Sequence, residues 1–169
     1  DSVKQAMFYP EIGHRESEFS DLFLDIQKKL IKVYGANEKN YTTYVVGGSG
    51  TAAMESVISS TVHDNRKMLI ISNGAFGERW EEICNIYNIG LNVIKYPWGE
   101  KINLQDIENK LMRDASIETV CLVFMETSTG MVNPVKDVGT ICKNYGKIFV
   151  VDAVSGLCGD PLSVKESNI

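Results

Sequence analysis

Between residues 51 and 151, short apolar runs alternate with amphipathic stretches, and this alternation restricts the fold more than any other property of the chain. Residues 68–71, 91–96, 119–125 and 147–151 read as strands, the second stopping at Pro97. Between them lie segments with helical spacing: 51–62, with Ala52, Ala53, Val57 and Ile58 inward; 76–87; a helix marked by Leu104, Ile107 and Leu111; and 134–145, opened by Pro134. Near-continuous apolar strands joined by helices pair in parallel, with helices covering both faces. The expected fold class is therefore α/β with a mainly parallel sheet. Upstream, Phe19, Leu22, Phe23, Ile26, Leu30 and Val33 share one face of a further helix, and residues 41–46 read as extended. No linker or low-complexity stretch divides residues 1–169, which reads as a single domain.

Composition narrows the function classes. A chain of 169 residues, 44% hydrophobic and 23% charged, is long enough for a sizeable core and has an ordinary globular balance. Its net charge of −5, with lysines scattered, provides no basic stripe for nucleic acid. Cys84, Cys121, Cys142 and Cys158 form no C-x-x-C pair, and His14 and His63 lie far from them, so neither a metal centre nor a disulfide framework is expected. Cys121 falls inside an apolar strand, where it packs. No stretch is apolar enough to cross a bilayer, and residues 1–4 do not resemble a signal peptide, so no membrane partner is expected and the chain reads as cytoplasmic, with reduced thiols.

Three segments and one carboxylate carry the chemistry. Gly47-Gly48-Ser49-Gly50-Thr51 leaves an extended segment steeply and opens a helix, so its free amides and the Ser49 and Thr51 hydroxyls suit a phosphate; alternatively, Ser49 only caps the helix. The segment lacks the Lys-Ser or Lys-Thr pair of a Walker loop, and Thr51 stands where a hydrolase elbow would have glycine. Phe76 sits where a strand passes into a helix, positioned either to lie over a planar ligand or to anchor the helix in the core. Glu126-Thr127-Ser128-Thr129-Gly130 follows a strand, and Thr127 either bonds a ring substituent or caps the loop. Asp152 closes the run Ile148-Phe149-Val150-Val151. A carboxylate there calls for a cationic partner, such as a protonated ring nitrogen, unless it caps the turn that follows.

These segments, in this order, resemble the class V aminotransferases of fold type I: Asn40-Tyr41-Thr42-Thr43 leading into 47–56, then Asn73-Gly74-Ala75-Phe76-Gly77-Glu78-Arg79, Glu126 to Met131 and Val151-Asp152-Ala153. Within that family the match is nearest to the branch acting on 2-aminoethylphosphonate and pyruvate, which has a segment similar to residues 14–19. The resemblance implies pyridoxal 5'-phosphate as cofactor, with Ser49, Gly50 and Thr51 at its phosphate, Phe76 stacked on the ring, Thr127 beside the 3-hydroxyl and Asp152 as catalytic partner of the pyridine nitrogen. It also implies a small-molecule amino donor, a 2-oxo acid acceptor, a homodimer and, in some relatives, fusion to another catalytic domain. The resemblance implies a Schiff-base lysine beyond Ile169: Lys165, the only lysine after Asp152, stands nearer to it than the family spacing requires and, in a polar stretch, reads as a solvated surface residue. Residues 1–169 are accordingly expected to be most of a large cofactor-binding domain, incomplete at both ends and without the C-terminal small domain. Two other readings stay open: a serine or alanine:glyoxylate member of the family, and a non-catalytic module for assembly or for binding a phosphate metabolite.

Overall fold

The computed structural model describes residues 1–169, which resolve into two compact units, Asp1–Val45 and Val46–Ile169. The first unit holds helices α1 (Ser2–Ala6) and α2 (Ser17–Val33). On α2, Phe19 and Phe23 stack with ring centroids 6.1 Å apart. Leu22, Ile26 and Val33 on the same helix are exposed. The extended reading of 41–46 is corrected in one respect: the segment joins no strand. Thr43 is held instead by side-chain bonds, donating to the Gln27 carbonyl and accepting at its own carbonyl from Gln27 Nε2 at 2.6 Å.

The second unit follows the alternation seen in the sequence. Its elements are α3 (Gly50–Thr61), β1 (Lys67–Ser72), α4 (Ala75–Ile86), β2 (Leu91–Lys95), α5 (Leu104–Arg113), β3 (Ile117–Val123), β4 (Met125–Glu126), β5 (Met131–Val132), α6 (Val135–Asn144) and β6 (Ile148–Asp152). Four strands form one sheet in the order β2-β1-β3-β6, every pair parallel.

Strand periodicity divides the core between the two faces. Leu69 and Ile71 of β1, with Val120 and Leu122 of β3, pack against Ile107 and Leu111 of α5 and Val138 and Ile141 of α6. Met68, Ile70, Cys121 and Val123 point to the other face, against Met54 and Ile58 of α3 and Trp80, Ile83 and Cys84 of α4. Each such aliphatic side chain contributes about 1.5–3 kcal/mol when fully buried. Because β1 and β3 are apolar at both parities, this sheet can exist only between two helical layers. No helix is long and apolar enough to cross a membrane.

The strand expected over 119–125 ends at Val123. Phe124 still donates its amide to the Asp152 carbonyl at 2.8 Å, but the chain then leaves the sheet to pair β4 with β5 in a short antiparallel hairpin. Gly130, at φ 75°, takes the left-handed conformation that this hairpin needs, and its amide returns to the Glu126 carbonyl at 2.8 Å.

Candidate active site

β1, β3 and β6 end at Ser72, Val123 and Asp152, and a cavity of about 480 Å³ opens beyond those ends. A crevice at the carboxyl ends of parallel strands is where open α/β sheets bind ligands. Gly50, Thr51, Phe76, Thr127 and Asp152 all line it, joined by Arg79 and Met54. Five of the six residues singled out from sequence therefore converge on one pocket. Ser49 is exposed next to it and is not part of the lining.

Ser49 is the N-cap of α3, its hydroxyl oxygen accepting from the Ala52 amide at 3.3 Å. The capping reading is thus correct as far as it goes. It uses only one of the orphan donors of a helix start, and the amides of Gly50 and Thr51 donate to no protein atom. Gly50 and Thr51 line the cavity, so two unpartnered amides stand at the positive end of a helix dipole beside it, an arrangement suited to an anion.

α4 begins against the same cavity but is finished internally. The fully buried carboxylate of Glu126 accepts from the Phe76 amide at 3.1 Å and the Gly77 amide at 3.1 Å, and from the Ser128 hydroxyl at 2.6 Å. Ser128 in turn accepts from the Ala75 amide at 3.0 Å. The side chains approach so closely that a Cβ on Gly74 would overlap Glu126 and Ser128. Anchored in this way, Phe76 is 44% exposed and lines the pocket, so it is not the buried helix anchor that the sequence left open.

Asp152 ends β6 with one donor on each oxygen. Trp80 Nε1 donates to Oδ2 at 3.2 Å and the Val154 amide to Oδ1 at 3.1 Å. The expected cationic partner is not supplied by a side chain: the ion pairs of the chain do not include Asp152. Arg79, on the pocket wall, pairs with Glu82 at 2.9 Å. Asp152 therefore caps the following turn and also presents an unpaired negative charge to the cavity. Thr127 is exposed, and its hydroxyl bonds no protein atom; the loop is capped by Ser128 and Thr129 instead.

Sequence reasoning missed Glu126, Trp80 and a buried amide pair. Asn73 Nδ2 donates to Asn133 Oδ1 at 2.9 Å, and Asn133 Nδ2 returns to Asn73 Oδ1 at 3.2 Å, tying the turn before α4 to the turn before α6. Their only signal in the sequence is polarity at a strand end.

None of the thiols lines the pocket. Burial pushes Cys84 up to about 11 and Cys142 up to about 12, and Cys121 well above its ordinary value, so all three stay protonated at neutral pH while Cys158 is exposed. Lys165 is exposed, as expected of a surface lysine.

A doubly covered parallel sheet, with a helix start, an aromatic ring and a carboxylate around one crevice, defines a cofactor-binding α/β unit. A family model for class V aminotransferases matches residues 5–169, and the chain belongs to that family. It is similar to the 2-aminoethylphosphonate–pyruvate transaminase of Bacillus cytotoxicus, at 36% identity over 171 residues, covering 99% of this chain and 46% of the relative. It is also 36% identical over 152 residues to a bifunctional phosphonoacetaldehyde hydrolase/aminoethylphosphonate transaminase of Clostridioides difficile, covering 90% of this chain and 24% of that protein. The crystal structure of an alanine–glyoxylate aminotransferase from Nostoc sp. superposes with a TM-score of 0.91 at 33% identity, covering 99% of this chain and 44% of that one. The chain spans less than half the length of each of these proteins. The fold is that of fold type I, and pyridoxal 5'-phosphate is the family's cofactor.

Proposed function

We propose that the full-length protein is a pyridoxal 5'-phosphate-dependent aminotransferase that moves the amino group of 2-aminoethylphosphonate to pyruvate, giving phosphonoacetaldehyde and L-alanine, and that residues 1–169 are most of its cofactor-binding domain. One observation carries the cofactor assignment: a single pocket has unpartnered helix amides at Gly50 and Thr51 and an Asp152 carboxylate bonded only to neutral donors. The first suits a phosphate, the second a protonated ring nitrogen, and the half-exposed Phe76 suits the plane of a ring between them.

When bound, the cofactor supplies an electron sink for the bond electrons at the carbon carrying the amino group. The side chains have separate tasks. The Gly50 and Thr51 amides, with the Ser49 and Thr51 hydroxyls, hold the phosphate. Phe76 covers one ring face and excludes water from it, and Thr127 donates to the ring's 3-oxygen. Asp152 holds a proton on the pyridine nitrogen, because a carboxylate against that atom favours its charged form. Trp80 and Val154 hold that carboxylate in one orientation, so it would need little reorganisation to serve a bound cofactor.

The choice of amino donor is supported by relatives similar at 33–36% identity over nearly the whole chain that are 2-aminoethylphosphonate–pyruvate transaminases. The similarity to an alanine–glyoxylate aminotransferase supports the second reading. The test is incubation of the purified full-length protein and cofactor with 2-aminoethylphosphonate and pyruvate, with alanine and phosphonoacetaldehyde quantified. Turnover of alanine or serine with glyoxylate, and none of 2-aminoethylphosphonate, would replace the first reading with the second. We propose a homodimer as the assembled state; a monomer by light scattering at high concentration would refute it.

A further inference from the structure

We infer that Trp80 is a positioning residue for the Asp152 carboxylate, fixing the plane in which that group meets a cationic ring nitrogen. The inference rests on the cofactor reading of the pocket and adds to it a residue outside the pocket lining.

Three observations carry it. Trp80 is 2% exposed and packed among Met54, Ile83 and Val123, so its indole cannot swing away. Its Nε1 donates to Asp152 Oδ2 at 3.2 Å, while the Val154 amide holds Oδ1 at 3.1 Å. An ionised carboxylate has about four lone-pair sites. One donor on each oxygen settles its rotation and leaves acceptor capacity on both for the pocket. Trp80 also lies one helical turn beyond Phe76, on the same side of α4. The helix that presents an aromatic ring at the pocket wall thus also orients the carboxylate. That helix is anchored at its start by Glu126, so the Phe76 ring and the Trp80 donor are carried by one anchored element while the carboxylate comes from β6.

An indole N–H is a donor that no aliphatic or phenyl side chain can replace. Trp80→Phe keeps an aromatic filling and removes the donor, leaving Asp152 with Val154 alone. The measurement is calorimetric titration of full-length apoprotein with pyridoxal 5'-phosphate, alongside the visible circular dichroism of the bound cofactor. Trp80→Phe is expected to weaken binding about tenfold, as for loss of one bond to a charged group, and to alter the dichroic band. In an Asp152→Ala background the same substitution should change affinity less than about twofold, because Trp80 acts through Asp152. Equal losses in both backgrounds would overturn the inference and reduce Trp80 to a packing residue. Unchanged binding by Trp80→Phe, with Asp152→Ala weakened, would overturn it while leaving the cofactor reading intact. Unchanged binding by Asp152→Ala would remove both. Trp80→Met, which fills irregular space without a donor, serves as second variant with the same expected result if the phenylalanine variant does not fold.

Discussion

Helices α3 and α4 begin against the same pocket, yet their first turns are completed in different ways. At α4 the protein supplies its own anion: Glu126, with Ser128 beside it, takes the amides of Ala75, Phe76 and Gly77. At α3 only a serine hydroxyl is provided, and the amides of Gly50 and Thr51 are left to the cavity. Both ends have the same positive dipole and the same orphan donors. An anion-binding helix start is therefore defined less by its glycines than by the absence of an internal carboxylate within reach.

The largest expected effect comes from emptying the closed end. Glu126→Ala leaves the buried Gly77 amide, the half-buried Phe76 amide and the Ser128 hydroxyl without their acceptor, and should destabilise the fold by about 3–5 kcal/mol. Urea unfolding would show this as a lower midpoint; a variant as stable as the parent would mean that the α4 cap is dispensable and the contrast empty. Filling the open end is the converse. A Cβ at Gly50 meets only Val154 Cγ2 at 3.7 Å, an ordinary contact, so Gly50→Asp has room at its root and places a carboxylate at the α3 start. It should leave stability unchanged or raise it by about 0.5 kcal/mol while weakening pyridoxal 5'-phosphate binding at least about tenfold. Undiminished binding would move the phosphate away from α3. Ser49→Ala is milder, costing about 1 kcal/mol of helix capping, read from the same unfolding curves.

A pH series sharpens the comparison with a carboxylate at the other end of the strands. Hydrogen bonds from the Ser116 hydroxyl, then Asn92, then Lys67 hold Asp114 well below the usual carboxylate range. Since the folded value is the depressed one, its contribution is present above the unfolded pKa of about 3.9 and fades as pH falls below it. The stability gap between the parent and Asp114→Asn should thus be constant from pH 5 upward to about neutrality and narrow below about pH 4. A gap that persists at pH 2, measured by denaturant unfolding, would show that the ionised form contributes nothing.

What was legible in the sequence depended on the range of the interaction. The strands and helices of the second unit follow from periodicities confined to each segment, and five pocket residues were recognisable because strand ends and glycine turns announce a crevice locally. Glu126 was read as part of a polar loop because its amide partners lie 49 and 50 residues away. The Trp80–Asp152 bond spans 72 residues and the Asn73–Asn133 pair 60, so no local pattern marks them. At Asp152 the sequence offered a cationic ring nitrogen or a turn cap; the cap is present in the Val154 bond, and no side chain of the chain supplies a cation. Residues 41–46 have the composition of a strand but pair with none.

The strand order has a consequence for how the molecule comes into being. β1 lies between β2 and β3, and its register with β3 brings Lys67 opposite Ile117, so the central pairing closes a long stretch of chain before any of its bonds form. Such non-local parallel pairing is slow, and its intermediates expose apolar strand edges. The pocket draws on residues from Gly50 to Ser155, so its lining comes together only once β6 has paired with β3. A ligand that spans the crevice therefore binds only after that pairing, and by mass action it favours the paired state over the unfolded chain.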